Sequence, residues 1–120
     1  MRIDLSYLCR AALVAAVFLP SAFCCAANED ERFLEGLRQR RLFELAERYC
    51  SNRLAEPQLP PVVQGDLAVE LIRTYALHAV NSPPDGREEL WKLARGAAAQ
   101  FQRTSPQHPR GILVRLQDAL

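Results

Sequence analysis

Lysine is nearly missing from this chain: Lys92 is the single lysine among 15 basic residues, a bias of composition rather than a mechanism. An excess of either charge is missing too. From Asn28 onward 13 basic residues face 13 acidic ones, so this part is formally neutral. A surface that holds nucleic acid needs uncompensated cations to displace counterions from phosphates, and the balance excludes that partner. The densest basic spot, Arg38, Arg40 and Arg41, is bracketed by Glu35 and Glu44 and reads as a solvated turn. Histidine is limited to His78 and His108, with no cysteine or acidic pair near either at metal-ligand spacing, so neither a metal nor a cofactor is expected. No glycine-rich phosphate loop and no catalytic motif stands out, and no catalytic residue is assigned.

Long hydrophobic runs are absent as well. The longest, Ala11 to Leu19, has nine residues. At 1.5 Å per residue such a helix spans about 14 Å, short of the roughly 30 Å hydrocarbon core of a membrane. Its setting is informative. Arg2 and Arg10 precede it, Pro20-Ser21 breaks it, and the small residues Cys25-Ala26-Ala27 follow. That order of charged start, apolar middle and small-residue end is expected of an export signal over residues 1–27, cleaved after Ala27. Residues 11–27 carry no charge, so an uncleaved anchor of minimal length, and with it membrane contact, stays open beside a cytosolic start. Phe23 before Cys24 denies a lipoprotein site the small residue it requires. The expected location is the periplasm or cell envelope.

Cleavage leaves one small domain, residues 28–120, near the size at which a single core is only just adequate. Three of the four cysteines leave with the signal. Cys50 then has no partner for an internal disulfide and, lying in an apolar-periodic segment, reads as a small buried hydrophobe. The sharper alternatives are an intermolecular bridge or a nucleophile, the latter with His78 as its base.

Prolines at 57, 60, 61, 83, 84, 106 and 109 divide this region into segments of helical, not alternating, periodicity. The fold class expected is all-α, with four or five helices. The first starts at Asn28, with Glu31 completing a capping box, and carries the stripe Phe33, Leu34, Leu37. After a break at Gln39-Arg40-Arg41 the second runs from Leu42 to Leu54-Ala55. Its rows Leu42, Leu45, Tyr49 and Phe43, Ala46, Cys50 form one broad apolar face, with Glu44 and Arg48 paired opposite. The third runs from Asp66, capping after Gly65, to Val80, burying Ala68, Ile72, Tyr75 and Ala79 flanked by Leu67, Leu71 and Val80. The fourth starts at Asp85, with Glu88 as capping partner and as the ion-pair mate of Lys92. It buries Leu90, Leu93, Ala94, Ala97 and Phe101, and Gly96 signals a close helix approach. Pro109 opens a fifth, striped by Ile112, Leu113, Leu116 and Leu120. Glu88 and Glu89, being adjacent, diverge on a helix and cannot face one another as a catalytic carboxylate pair. Trp91, Tyr49 and Tyr75 read as core rather than as a peptide groove.

Helices paired by short proline turns, ending on an apolar stripe without a polar cap, suggest the front of a helical array. The segment Phe33 to Tyr49 resembles one tetratricopeptide-type hairpin, with Gly36 as the small residue of its first helix and Ala46 where the second crosses it. The stretch from Asp30 to Leu120 is similar to the amino-terminal region of long exported bacterial tetratricopeptide-repeat-like proteins, of which this chain would be a shortened member. It departs from the pattern in lacking a tryptophan near the start of the hairpin, in placing Pro57 about one position early, and in the length of the unit Gly65 to Pro106. The resemblance implies non-enzymatic protein–protein scaffolding or self-association in the envelope and brings no catalytic residues. An inactive structural fragment and a small thiol enzyme using Cys50 are the alternatives.

Overall fold

The computed structural model describes residues 22–118, all helix and connection, with no strand among the described residues. Five helices follow in order: α1 (Ala22–Gln39), α2 (Phe43–Leu54), α3 (Pro61–Asn81), α4 (Pro84–Thr104) and α5 (Gly111–Asp118). The all-α class expected from periodicity is what forms. The export segment 1–27 lies outside the described residues up to position 21, and Leu120 lies outside them too.

The helix α3 is the axis of the bundle. It packs against all four other helices, most extensively α4 and then α2. Its two sides enter two apolar clusters. Leu34 and Leu37 of α1, Ala46 and Cys50 of α2, and Val63 and Leu67 of α3 make the first. Val69 and Ile72 of α3, Ala98 and Phe101 of α4, and Val114 of α5 make the second. A helix covered on two sides cannot show a single narrow stripe, and Val63, Leu67, Val69, Ile72 and Ala79 are buried around much of its girth. Each such aliphatic side chain withdrawn from water contributes about 1.5–3 kcal/mol before the entropy of ordering is charged against it.

Helix starts are where expectation and structure part. Helix α1 continues upstream of Asn28 as far as Ala22, because the alanine-rich run has strong helix propensity and needs no break there. Asn28 is therefore an interior residue, not a cap. Helix α3 starts at Pro61, one helical turn before Asp66. A proline's missing N–H and fixed φ suit the first helical position, and this outweighs the Gly65-Asp66 signal. Helix α4 likewise starts on Pro84 rather than Asp85, without a side-chain cap. Glu88 then reaches Arg95 at 2.8 Å, and Lys92 pairs with Glu89 instead, also at 2.8 Å. No Glu44–Arg48 ion pair forms among the described residues.

The turn between α1 and α2 is tighter than a solvated break. The Leu42 N–H bonds the Leu37 carbonyl at 3.0 Å and the Arg41 N–H bonds that of Arg38 at 2.9 Å. This is the Schellman closure, and it places Arg41 in the left-handed region at φ 58°. Glycine is the usual occupant. Arg38, expected in solvent, is buried at 5 % exposure.

Several face assignments are corrected by the packing. On α2 only the row Phe43, Ala46, Cys50 is buried, while Leu42 and Leu45 stand 45 % and 47 % exposed. Phe33, Val80 and Leu93 are exposed as well. Gly96 faces open space and marks no close approach. The close approach is at Gly65, where an added Cβ would lie 2.4 Å from His108 Cδ2. Gly36 meets only the exposed end of Arg40, whereas Ala46 is fully buried. On α5 the inward residue is Val114, and Ile112 and Leu113 point outward.

Candidate functional site

Polar groups buried inside a small helical bundle cost several kcal/mol unless paired, so their partners show where the fold has spent specificity. Glu70, on the middle turn of α3, is 2 % exposed. Arg38 from the end of α1 approaches its Oε2 at 2.8 Å, and Arg110 from the α4–α5 connection meets Oε1 at 2.6 Å. The Arg38 contact lies off the donor direction, which leaves Oε2 without a hydrogen bond of its own, while Nη1 of Arg38 donates to Thr74 Oγ1 at 3.3 Å. Glu35 takes a second edge of Arg38 at 3.0 Å, and the arginine holds the Glu35 carboxyl below the usual range. One carboxylate thus ties both halves of the bundle to α3.

His108 extends the same clamp. Its ring fills the space that Gly65 leaves, stands edge-on to Phe101 with centroids 5.6 Å apart, and accepts the Arg110 N–H on Nδ1 at 3.2 Å. Nε2 lies 3.4 Å from both the Val62 carbonyl and Asp66. His108 thus lies in the connection between α4 and α5 and pins that corner. On the other side of the bundle, Asp30 accepts from Tyr49 Oη and from Arg53 at 3.0 Å. Burial and the neighbouring Asp30 push the Tyr49 hydroxyl up to about 12.

Cys50 is fully buried among apolar side chains, and burial, then the charge of Glu70, raise its thiol from the usual 9.0 to about 12. At neutral pH it is a thiol, not a nucleophilic thiolate. His78 does not serve it: no hydrogen bond joins the two. Instead His78 Nδ1 meets Glu47 Oε1 at 2.6 Å, and its ring stacks on Phe43 with centroids 5.1 Å apart. Tyr49, Tyr75 and Trp91 are all partly buried. No group of three or more His, Cys, Asp and Glu is arranged to hold a metal ion among the described residues.

A recess able to receive another molecule lies at the start of α2. Arg41, Leu42, Phe43, Glu44, Leu45, Arg48 and His78 line a recess of about 330 Å³. A larger hollow, about 450 Å³, is bounded by Glu31, Arg32, Glu35, Gly36, Gln39 and Arg73, with no hydrophobic residue in its lining. The α2 recess combines both characters. Leu42 and Leu45 are its half-exposed apolar walls, and neither Arg41 nor Arg48 forms an ion pair among the described residues. Leu45 lies one turn from Tyr49, which contacts the half-exposed Phe33 at a centroid distance of 4.8 Å, so apolar surface runs from the recess towards α1.

The Leu42, Leu45, Tyr49 row was visible in the sequence, but as core. The sequence marks that the row is apolar and does not mark which of two adjacent rows faces inward. Comparison with protein-family models, curated proteins and solved structures returns no match for this chain.

Proposed function

We propose that the chain is a non-enzymatic helical-hairpin module that binds another protein through the outer face of α2, and that residues 1–27 direct it to the periplasm or cell envelope. The observation that carries this reading is the half-exposed apolar group Phe33, Leu42 and Leu45 beside a recess with two guanidinium groups that form no ion pair among the described residues. Aromatic and leucine side chains grouped beside arginine are the composition of a binding patch, and contiguous exposed apolar surface is uncommon on a monomer without a partner. The tetratricopeptide-like resemblance supports the same role, since arrays of that kind act by presenting helix faces. Helices α1 and α2, and α3 and α4, follow one another across short connections, the arrangement this reading needs.

The test is retention of a partner by tagged protein taken from its own cells. A stoichiometric partner held by the wild type and by Leu93→Asp, but lost from Leu45→Asp with its helix content intact, is the expected result. Both substitutions put a charge on a half-exposed leucine, so equal loss from the two, or retention by Leu45→Asp, overturns the reading. Amino-terminal sequencing of the same material reads the export proposal, expected to start at Asn28.

Self-association is the second reading, favoured by Ile112 and Leu113, which α5 leaves 61 % and 47 % exposed. Light scattering over a concentration series separates it from a distinct partner.

A further inference from the structure

Resting on the reading of α2 as the interaction face, we propose that the recess at its start receives the C-terminal residue of the protein partner. The apolar side chain of that residue lies against Leu42 and Leu45, and its carboxylate meets Arg41 and Arg48.

Four observations converge on this chemistry. The recess, at about 330 Å³, is near the lower end of the roughly 300–1,000 Å³ occupied by small-ligand sites and suits one residue with its terminal group. Two guanidinium groups line it against one opposing carboxylate, Glu44; the Glu47 carboxylate beside it is taken up by His78. A guanidinium fork matches a carboxylate in both shape and charge. Helix α2 also has no side-chain cap, since Leu42 holds the cap position, and the N–H groups of its first turn have no intrahelical acceptor. They add donors and a favourable dipole on the same side.

The fourth observation concerns His78. Nδ1 is bonded to Glu47 at 2.6 Å, and in the tautomer that donates there Nε2 is left as an acceptor with no protein partner among the described residues. A peptide's last amide N–H is the donor such a nitrogen accepts. The four elements of a C-terminal residue, its amide N–H, apolar side chain, carbonyl oxygen and terminal oxyanion, thus each find a complementary group in one recess. A bare anion would use the cations and leave both the leucine walls and Nε2 idle.

The experiment is a two-dimensional amide NMR titration of the protein with three probes: N-acetyl-leucine, N-acetyl-leucinamide and inorganic phosphate. N-acetyl-leucine is expected to shift the amides of Phe43, Glu44 and Leu45 saturably. N-acetyl-leucinamide, alike in all but charge, is expected to bind more weakly by roughly tenfold or more, the loss of a charge-assisted bond. Arg48→Gln, on an exposed side chain without an ion pair among the described residues, is expected to abolish the difference between the two without changing the spectrum elsewhere. Added salt narrows it, because exposed charges are screened. Equal binding of acid and amide overturns carboxylate recognition while leaving the α2 face intact as an interaction surface. Phosphate competing as well as N-acetyl-leucine overturns the peptide terminus in favour of a general anion. Absence of any shift at Phe43 to Leu45 overturns the site, and partner retention then decides separately whether the α2 face binds.

Discussion

Three single residues carry more of the fold than their types announce. Arg41 holds φ 58° to close the α1–α2 turn, a conformation that costs an L-residue about 1–2 kcal/mol and glycine nothing. Arg41→Gly, after the entropy that glycine adds to the unfolded chain, should stabilise by about 0.5–1 kcal/mol and raise Tm by about 2–8 °C in a thermal melt. Gly65 is the reverse case. Alanine in a helix interior ordinarily gains about 1 kcal/mol over glycine, but here its Cβ would strike the His108 ring at 2.4 Å. Gly65→Ala should therefore destabilise by about 1–3 kcal/mol, and in a His108→Ala background the same change should stabilise. Denaturant melts of the four proteins read the sign reversal. Cys50 was legible: an apolar-periodic position in a two-row helix is core, and its thiol is pushed up to about 12. The folded-state value lies above that of the unfolded chain, so this contribution to stability is present below about pH 9 and declines as pH rises towards 12. Stability measured from pH 8 to 11 should fall, and Cys50→Ala should flatten the fall, leaving the part that belongs to Tyr49 and Tyr75, whose hydroxyls burial also pushes up.

Elements were easier to foresee than their ends and their pairings. Five helices in the right order follow from period and proline alone, because both signals are local. The starts of α3 and α4 moved to Pro61 and Pro84, since the same proline that ends one segment is also a good first residue of the next. Faces were harder. Adjacent rows on α2 are equally apolar, and only the position of α3 decides that Phe43 goes in and Leu42 stays out. The clamp Arg38–Glu70–Arg110 was not legible at all. A lone glutamate between Val69 and Leu71 is a signal of a buried charge, yet its partners come from α1 and from the connection after α4, and no spacing rule joins them. Glu70→Ala leaves the buried Arg38 guanidinium with Glu35 as its one carboxylate and takes the partner from Arg110, and should cost about 2–4 kcal/mol, whereas Arg110→Ala, at a side chain 24 % exposed, should cost less. Urea midpoints of the two variants test the order.

At the scale of the whole molecule, one helix serves two cores. Because α3 is packed on both sides, the clusters around Leu34 and around Phe101 share a backbone, and Glu70 links their outer helices by charge. The bundle thereby covers the middle of α3 and leaves apolar surface at its periphery, on α2, on α5 and at the two ends of α3, where Val62 and Val80 are exposed. No helix among the described residues is long and apolar enough to cross a membrane. The candidate site itself was legible only as ingredients. In the sequence Arg41 reads as part of a solvated turn, Arg48 as the mate of Glu44 and the leucines as core, and it is the Schellman closure, bringing Arg41 beside the first turn of α2, that joins them.

The central claim is that α2's outer face is where a partner sits. The most direct measurement is photo-crosslinking in the protein's own cells from an unnatural side chain at position 45, with position 95 on the exposed side of α4 as reference, and mapping of the adducts by mass spectrometry. The account predicts one partner captured from position 45, its crosslinked peptide lying near that protein's C-terminus, and loss of the adduct in Leu42→Asp. Equal yields from positions 45 and 95, or an adduct that survives Leu42→Asp, would contradict it.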